Sequence, residues 1–134
     1  MRRAIAVLAL GAAAAAAGCS GDQGPVAGEL SVRLATTATT YRAVLFRVVG
    51  KLHAVTAPTG AGYRILSDTS ATGDTAWIAV IAPQGTGLAA GEVARLAVPD
   101  TRKASSYQVS LTEAAAANYA VGLFPGLALT VARP

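Results

Sequence analysis

The chain has 134 residues, 53% hydrophobic and 13% charged, with a formal net charge of +4. Its single cysteine excludes an internal disulfide framework and a cysteine-based metal set. No basic cluster exceeds the Arg102-Lys103 pair and no basic stripe is interleaved with aromatics, so nucleic acid is not an expected partner.

Arg2 and Arg3 open the chain, an apolar run extends from Ala4 to Ala17, and small residues lead to Cys19. That order is a charged segment, a short hydrophobic segment and a cleavage site. About fourteen apolar residues make a helix of roughly 21 Å, too short for an ordinary membrane span of about 20 residues. The tetrad Ala16-Ala17-Gly18-Cys19 resembles the lipobox of bacterial lipoproteins, with Ala16 standing where that family usually has leucine. The resemblance implies a signal peptide over residues 1–18, lipid on the Cys19 sulfur, and a mature protein secreted across the inner membrane and held to a membrane by its anchor. In bacteria with two membranes, Ser20 after the cysteine implies the outer membrane or the periplasmic face. The competing reading is a plain secretory signal with Cys19 incidental to it. Loss of Arg2 and Arg3 with the signal leaves a mature domain close to neutral, so the high pI says little about partners.

Residues 19–27 continue as Cys-Ser-Gly-Asp-Gln-Gly-Pro-Val-Ala, a composition that reads as a flexible tether. From Glu29 the pattern turns to period two. Leu30, Val32 and Leu34 alternate with Ser31, Arg33 and Ala35, as in a half-buried strand. The Thr36–Thr40 segment reads as a loop. Tyr41 to Val49 is a second strand, with Val44, Phe46 and Val48 on one side, Leu45 and Arg47 on the other, and Gly50 as its stop. Leu52 to Ala57 is a weaker strand. Tyr63 to Ser67 is another, with Tyr63 and Ile65 on one face, followed by a polar turn from Asp68 to Asp74. Thr75 to Ala82 is apolar on both faces and reads as a central strand ended by Pro83. Glu92 to Val98 turns Ala94, Leu96 and Val98 inward. Tyr107, Val109 and Leu111 alternate with polar residues. Glu113 to Tyr119 reads either as a turn of helix or as a bulged connection. Tyr119-Ala120-Val121 and Leu127 to Val131 close the chain.

Eight or nine short strands with frequent turn signals, and no long helix, predict an all-β domain over residues 28–134. The expected architecture is an antiparallel β-sandwich. The segments Ala43-Val44-Leu45-Phe46-Arg47-Val48, Leu52-His53-Ala54-Val55 with the Gly-rich loop after it, Trp77-Ile78-Ala79-Val80, Gly91-Glu92-Val93-Ala94-Arg95-Leu96-Ala97-Val98 and Tyr107-Gln108-Val109-Ser110-Leu111 resemble, in their order, the cohesin-like and carbohydrate-binding β-sandwich group. That resemblance implies a jelly-roll-like sandwich and carries no ligand with it.

No catalytic constellation, metal set or cofactor motif is legible. His53, the one histidine, has no partner at metal or triad spacing. Asp68 and Asp74 share a predicted loop whose carboxylates suit calcium, against the plainer reading of solvated turn residues. Gly85-Thr86-Gly87 lacks the rest of a phosphate loop and reads as a hairpin turn. Trp77, the only tryptophan, is read either as core or edge packing among Ile78, Val80 and Ile81 or as a platform for a sugar ring. The expectation is therefore a non-enzymatic binding or structural module with a protein or polysaccharide ligand. That ligand would meet a sheet face, an edge strand or, by preference, the loops at 58–62, 68–74 and 83–91. A row of exposed aromatics would favour sugar; a continuous apolar patch or an open edge strand would favour a protein.

Overall fold

A computed structural model describes residues 24–37, 41–122 and 126–134. Cys19 and the predicted signal peptide lie outside these residues. The strands are β1 (Gly28–Ala35), β2 (Ala43–Val49), β3 (Ala54–Thr56), β4 (Arg64–Thr69), β5 (Thr75–Ile81), β6 (Gly91–Val98), β7 (Gln108–Ala115), β8 (Val121–Gly122) and β9 (Ala128–Ala132). They form two antiparallel sheets, of order β3-β6-β1-β9 and β4-β5-β2-β7-β8. Only β4–β5 and β7–β8 are hairpins within a sheet. Every other connection crosses from one sheet to the other, which makes the domain the predicted β-sandwich.

Period-two patterning fills the space between the sheets. Leu30, Val32 and Leu34 from β1 meet Val44, Phe46 and Val48 from β2, Ala76, Ile78 and Val80 from β5, and Val93, Leu96 and Val98 from β6. Phe46 and Leu96 are fully buried, as their alternation predicts. Tyr63 and Ile65 pack against the same core. Two bulges adjust the pattern. Val32 pairs Ala94 and Arg33 pairs Glu92, so Val93 is the extra residue, and both Val93 and Ala94 turn inward. Leu45 pairs Glu113 and Phe46 pairs Leu111, so Thr112 is the extra residue on β7. The ambiguous stretch from Glu113 is thus the end of a bulged strand. It is followed by a turn in which Tyr119 takes φ 64°.

The turn signals act through backbone geometry. Gly50 ends β2 with φ 144°, and a Cβ there would overlap the Tyr107 ring. A short 3-10 helix, Thr101–Ser106, links β6 to β7 and has no counterpart in the sequence reading. Asp100 caps it by accepting from the Arg102 N–H at 3.1 Å. The fourth strand is longer than predicted. Beyond the expected end at Ser67, Asp68 and Thr69 belong to β4, and Asp68 pairs with Trp77, so Asp68 and Asp74 do not share a loop.

Candidate functional site

The outer face of the five-stranded sheet carries the largest departure from an ordinary solvated surface. Its residues lie in three rows set by the strand register. The first row is Arg64, Ile81, Ala43, Ala115 and Val121. The second is Leu66, Ala79, Leu45 and Glu113, and the third is Asp68, Trp77, Arg47 and Ser110. The alanines at 43, 79 and 115 give a low floor. Leu66, Trp77 and Val121 stand above it, 48%, 43% and 62% exposed. Two hollows of about 190 and 250 Å³ share Leu45 and Ala79, so the floor runs as one apolar trough. Charge is confined to Arg47, Arg64, Asp68 and Glu113, two of each sign.

Trp77 is therefore not a core residue. On β5 the inward positions are Ala76, Ile78 and Val80, all buried, and Trp77 alternates to the outside. β5 is an interior strand between β4 and β2, as its apolar character predicts, but its two faces are apolar for different reasons. One face is core and the other is the uncovered trough. The Arg47 guanidinium carbon lies 5.9 Å from the Trp77 ring centroid, at the outer limit of a cation–π contact. Tyr119, the most exposed aromatic among the described residues, belongs to a separate hollow of about 300 Å³ with Arg42 and Pro83. No second ring stands beside Trp77 among the residues lining its hollow.

The outer face of the four-stranded sheet differs in kind. Ser31 is fully buried there although its side chain points out of the sandwich. Its hydroxyl donates to Glu92 Oε2 at 2.6 Å, and the other Glu92 oxygen accepts from Arg95 Nε at 2.7 Å. Arg95 also reaches Glu29 at 3.6 Å. The Ser31 and Arg95 hydrogen bonds hold the Glu92 carboxyl below the usual carboxylate range. The serine hydroxyl is spent as a donor to a carboxylate, and the network reads as a structural clasp over the β1–β6 ladder.

His53 lies in the link before β3, exposed, with its backbone N–H donating to the Ala97 carbonyl at 2.8 Å. Among the described residues no group of three or more His, Cys, Asp or Glu side chains converges as a metal site would require. No family model, curated protein or solved structure matches this chain significantly.

Proposed function

We propose that this chain is a lipid-anchored cell-envelope protein whose β-sandwich binds a protein partner through the outer face of the five-stranded sheet and turns over no substrate. The observation that carries the binding reading is the continuous apolar trough with a single aromatic in it. Sheet faces turned to water ordinarily alternate to polar residues. Here Leu45, Leu66, Trp77, Ala79, Ile81 and Val121 hold that face, and uncovered apolar patches of this kind mark interaction sites. Sugar recognition, with Trp77 as its platform, is the second reading. It is weakened by the missing neighbour ring. The two arginines and two carboxylates around the trough suit a partner that presents an apolar ridge edged by charges of both signs. The sheet face displaces the loops at 58–62, 68–74 and 83–91 as the preferred binding region. The anchor reading rests on the lipobox-like tetrad ending at Cys19.

The test combines two measurements on the full chain expressed in a bacterial envelope. Intact mass of the purified protein should show an acylated N-terminus at Cys19, and Cys19→Ser should abolish it. A photo-reactive side chain at Leu66 should capture one discrete envelope protein, while the same group at Arg33, on the opposite outer face, should not. Equal capture from both faces overturns the partner reading. Retention on envelope polysaccharide that Trp77→Ala removes without unfolding the domain replaces it with the sugar reading. Hydrolysis of an ester, phosphate or glycoside that His53→Ala abolishes overturns both.

A further inference from the structure

The position at which the chain joins the sandwich is pinned. The Val26 N–H donates to Asp100 Oδ1 at 3.3 Å, and the Val26 carbonyl accepts from the Thr101 N–H at 2.8 Å and the Thr101 hydroxyl at 3.2 Å. Asp100 is itself held by Arg102, whose Nε lies 3.1 Å from Oδ1. The Arg133 Nε donates to the Thr101 carbonyl at 3.1 Å, and the Tyr107 hydroxyl donates to the Lys51 carbonyl. Between these groups lies a hollow of about 230 Å³, lined in part by Pro25, Lys51, Asp100, Lys103 and Tyr107.

Lys51 and Lys103 are the only lysines of the chain, and both line this hollow. Neither is in an ion pair with a described residue. The same end of the sandwich carries Arg102 and Arg133 and the exposed His53. Described carboxylates at this end are Asp100, engaged by Arg102, Glu29, paired with Arg95, and Asp74, whose backbone carbonyl accepts from the Gly50 N–H. Cations outnumber carboxylates here, whereas the apolar trough balances them.

Cys19 precedes Gly24 by five residues, which span at most about 17 Å even when fully extended. A lipid on Cys19 therefore keeps this end within about two nanometres of the bilayer surface, where an anionic headgroup attracts each nearby Lys or Arg. We propose that the hollow between Lys51 and Lys103 receives the phosphate of an anionic phospholipid headgroup, so that the domain stands on the membrane with its tether end down. The inference rests on the lipid anchor proposed above. The strands then run away from the bilayer, and the apolar trough faces sideways, clear of lipid.

Lysine labelling reads this arrangement directly, because no other side-chain amine exists in the chain. The acylated full-length mature protein is reconstituted into vesicles of phosphatidylcholine alone or of phosphatidylcholine with phosphatidylglycerol. It is then treated with an amine-acylating reagent, and each lysine is quantified by mass spectrometry. Lys51 and Lys103 should each label about fivefold more slowly on the anionic vesicles, and added salt should remove the difference. Lys103→Gln should reduce the protection of Lys51, while Arg64→Gln, at the far end of the sandwich, should leave it intact. Equal labelling on both vesicle types, with the protein sedimenting with both, overturns the inference and leaves the anchor standing. Equal protection by inorganic phosphate on neutral vesicles overturns it in favour of a free-anion site. An unacylated Cys19 overturns the anchor and the inference together.

Discussion

On the outer face of the four-stranded sheet, Glu29, Ser31, Arg33, Glu92 and Arg95 occupy the outward positions, and four of them, Glu29, Ser31, Glu92 and Arg95, are joined in one network. On the outer face of the five-stranded sheet, the matching positions hold Leu45, Leu66, Trp77, Ala79 and Ile81. Both faces cover the same core, and core stability alone requires neither. A charged clasp keeps water on one face and discourages sheet-on-sheet association. An apolar trough leaves surface energy unspent on the other. The difference separates residues that hold the fold from residues for which the fold shows no use.

Substitutions on the two sides of one strand give the sharpest contrast. Phe46→Ala, on the inner side of β2, should cost about 3–5 kcal/mol, a large part of the roughly 5–15 kcal/mol available to a domain of this size. Thermal unfolding should show a loss of many degrees. A shift of a degree or so would mean that the core does not depend on this side chain.

The polar face should show a smaller but definite structural role. Glu92→Ala leaves the buried Ser31 hydroxyl without its acceptor and Arg95 without its nearest carboxylate. The expected loss is about 1–2 kcal/mol, less than for a fully buried pair because Arg95 is partly solvated. Denaturant titration would measure it, and an unchanged midpoint would show that the clasp is ornamental.

Acid should act through Asp100 as well as Glu92. The Arg102 side chain, opposed by desolvation and aided by the Arg102 and Val26 N–H groups, lowers the Asp100 carboxyl to about 2 from its ordinary 3.8. The unfolded chain then binds the proton more tightly. The stabilisation is complete above about pH 4 and is lost as the pH falls towards 2. Asp100→Asn should lower the melting temperature at neutral pH and flatten its dependence between pH 4 and 2. A wild-type melting temperature that is flat across that window would sink this account.

The smallest effect on stability is expected where the largest effect on binding is. Leu66→Ser, on the edge strand of the trough, should change stability within about 0.5 kcal/mol while weakening partner capture. A substantial destabilisation would reclassify the trough as part of the fold.

Much of this architecture is legible in the alternation of residues such as Leu30, Val32 and Leu34, because half-burial imposes period two on a strand. The role of Trp77 is not legible the same way. An apolar outer face reads identically whether another layer covers it or a partner does. Its neighbours Arg47 and Asp68 are set by pairings between distant segments. Asp68 itself reads as a turn residue in sequence, because an edge strand, solvated on several sides, tolerates Ser-Asp-Thr without alternation. The 3-10 helix left no apolar period in Thr-Arg-Lys-Ala-Ser-Ser, and only Asp100 before it is a capping residue. The hollow between the two lysines joins residues 52 positions apart along the chain and becomes a unit only once β2 and β7 pair.

The register between β1 and β9 has a kinetic consequence. Ser31 pairs with Ala132 and Ala35 with Ala128, so β1 is completed by a strand about a hundred residues downstream. Its other partner, β6, is also some sixty residues downstream. Ladders of such long sequence separation close slowly, because the loop entropy must be lost before the pairing returns anything. The four-stranded sheet cannot finish while the ribosome still holds β9. Until then the edge of β1 that β9 covers stays open.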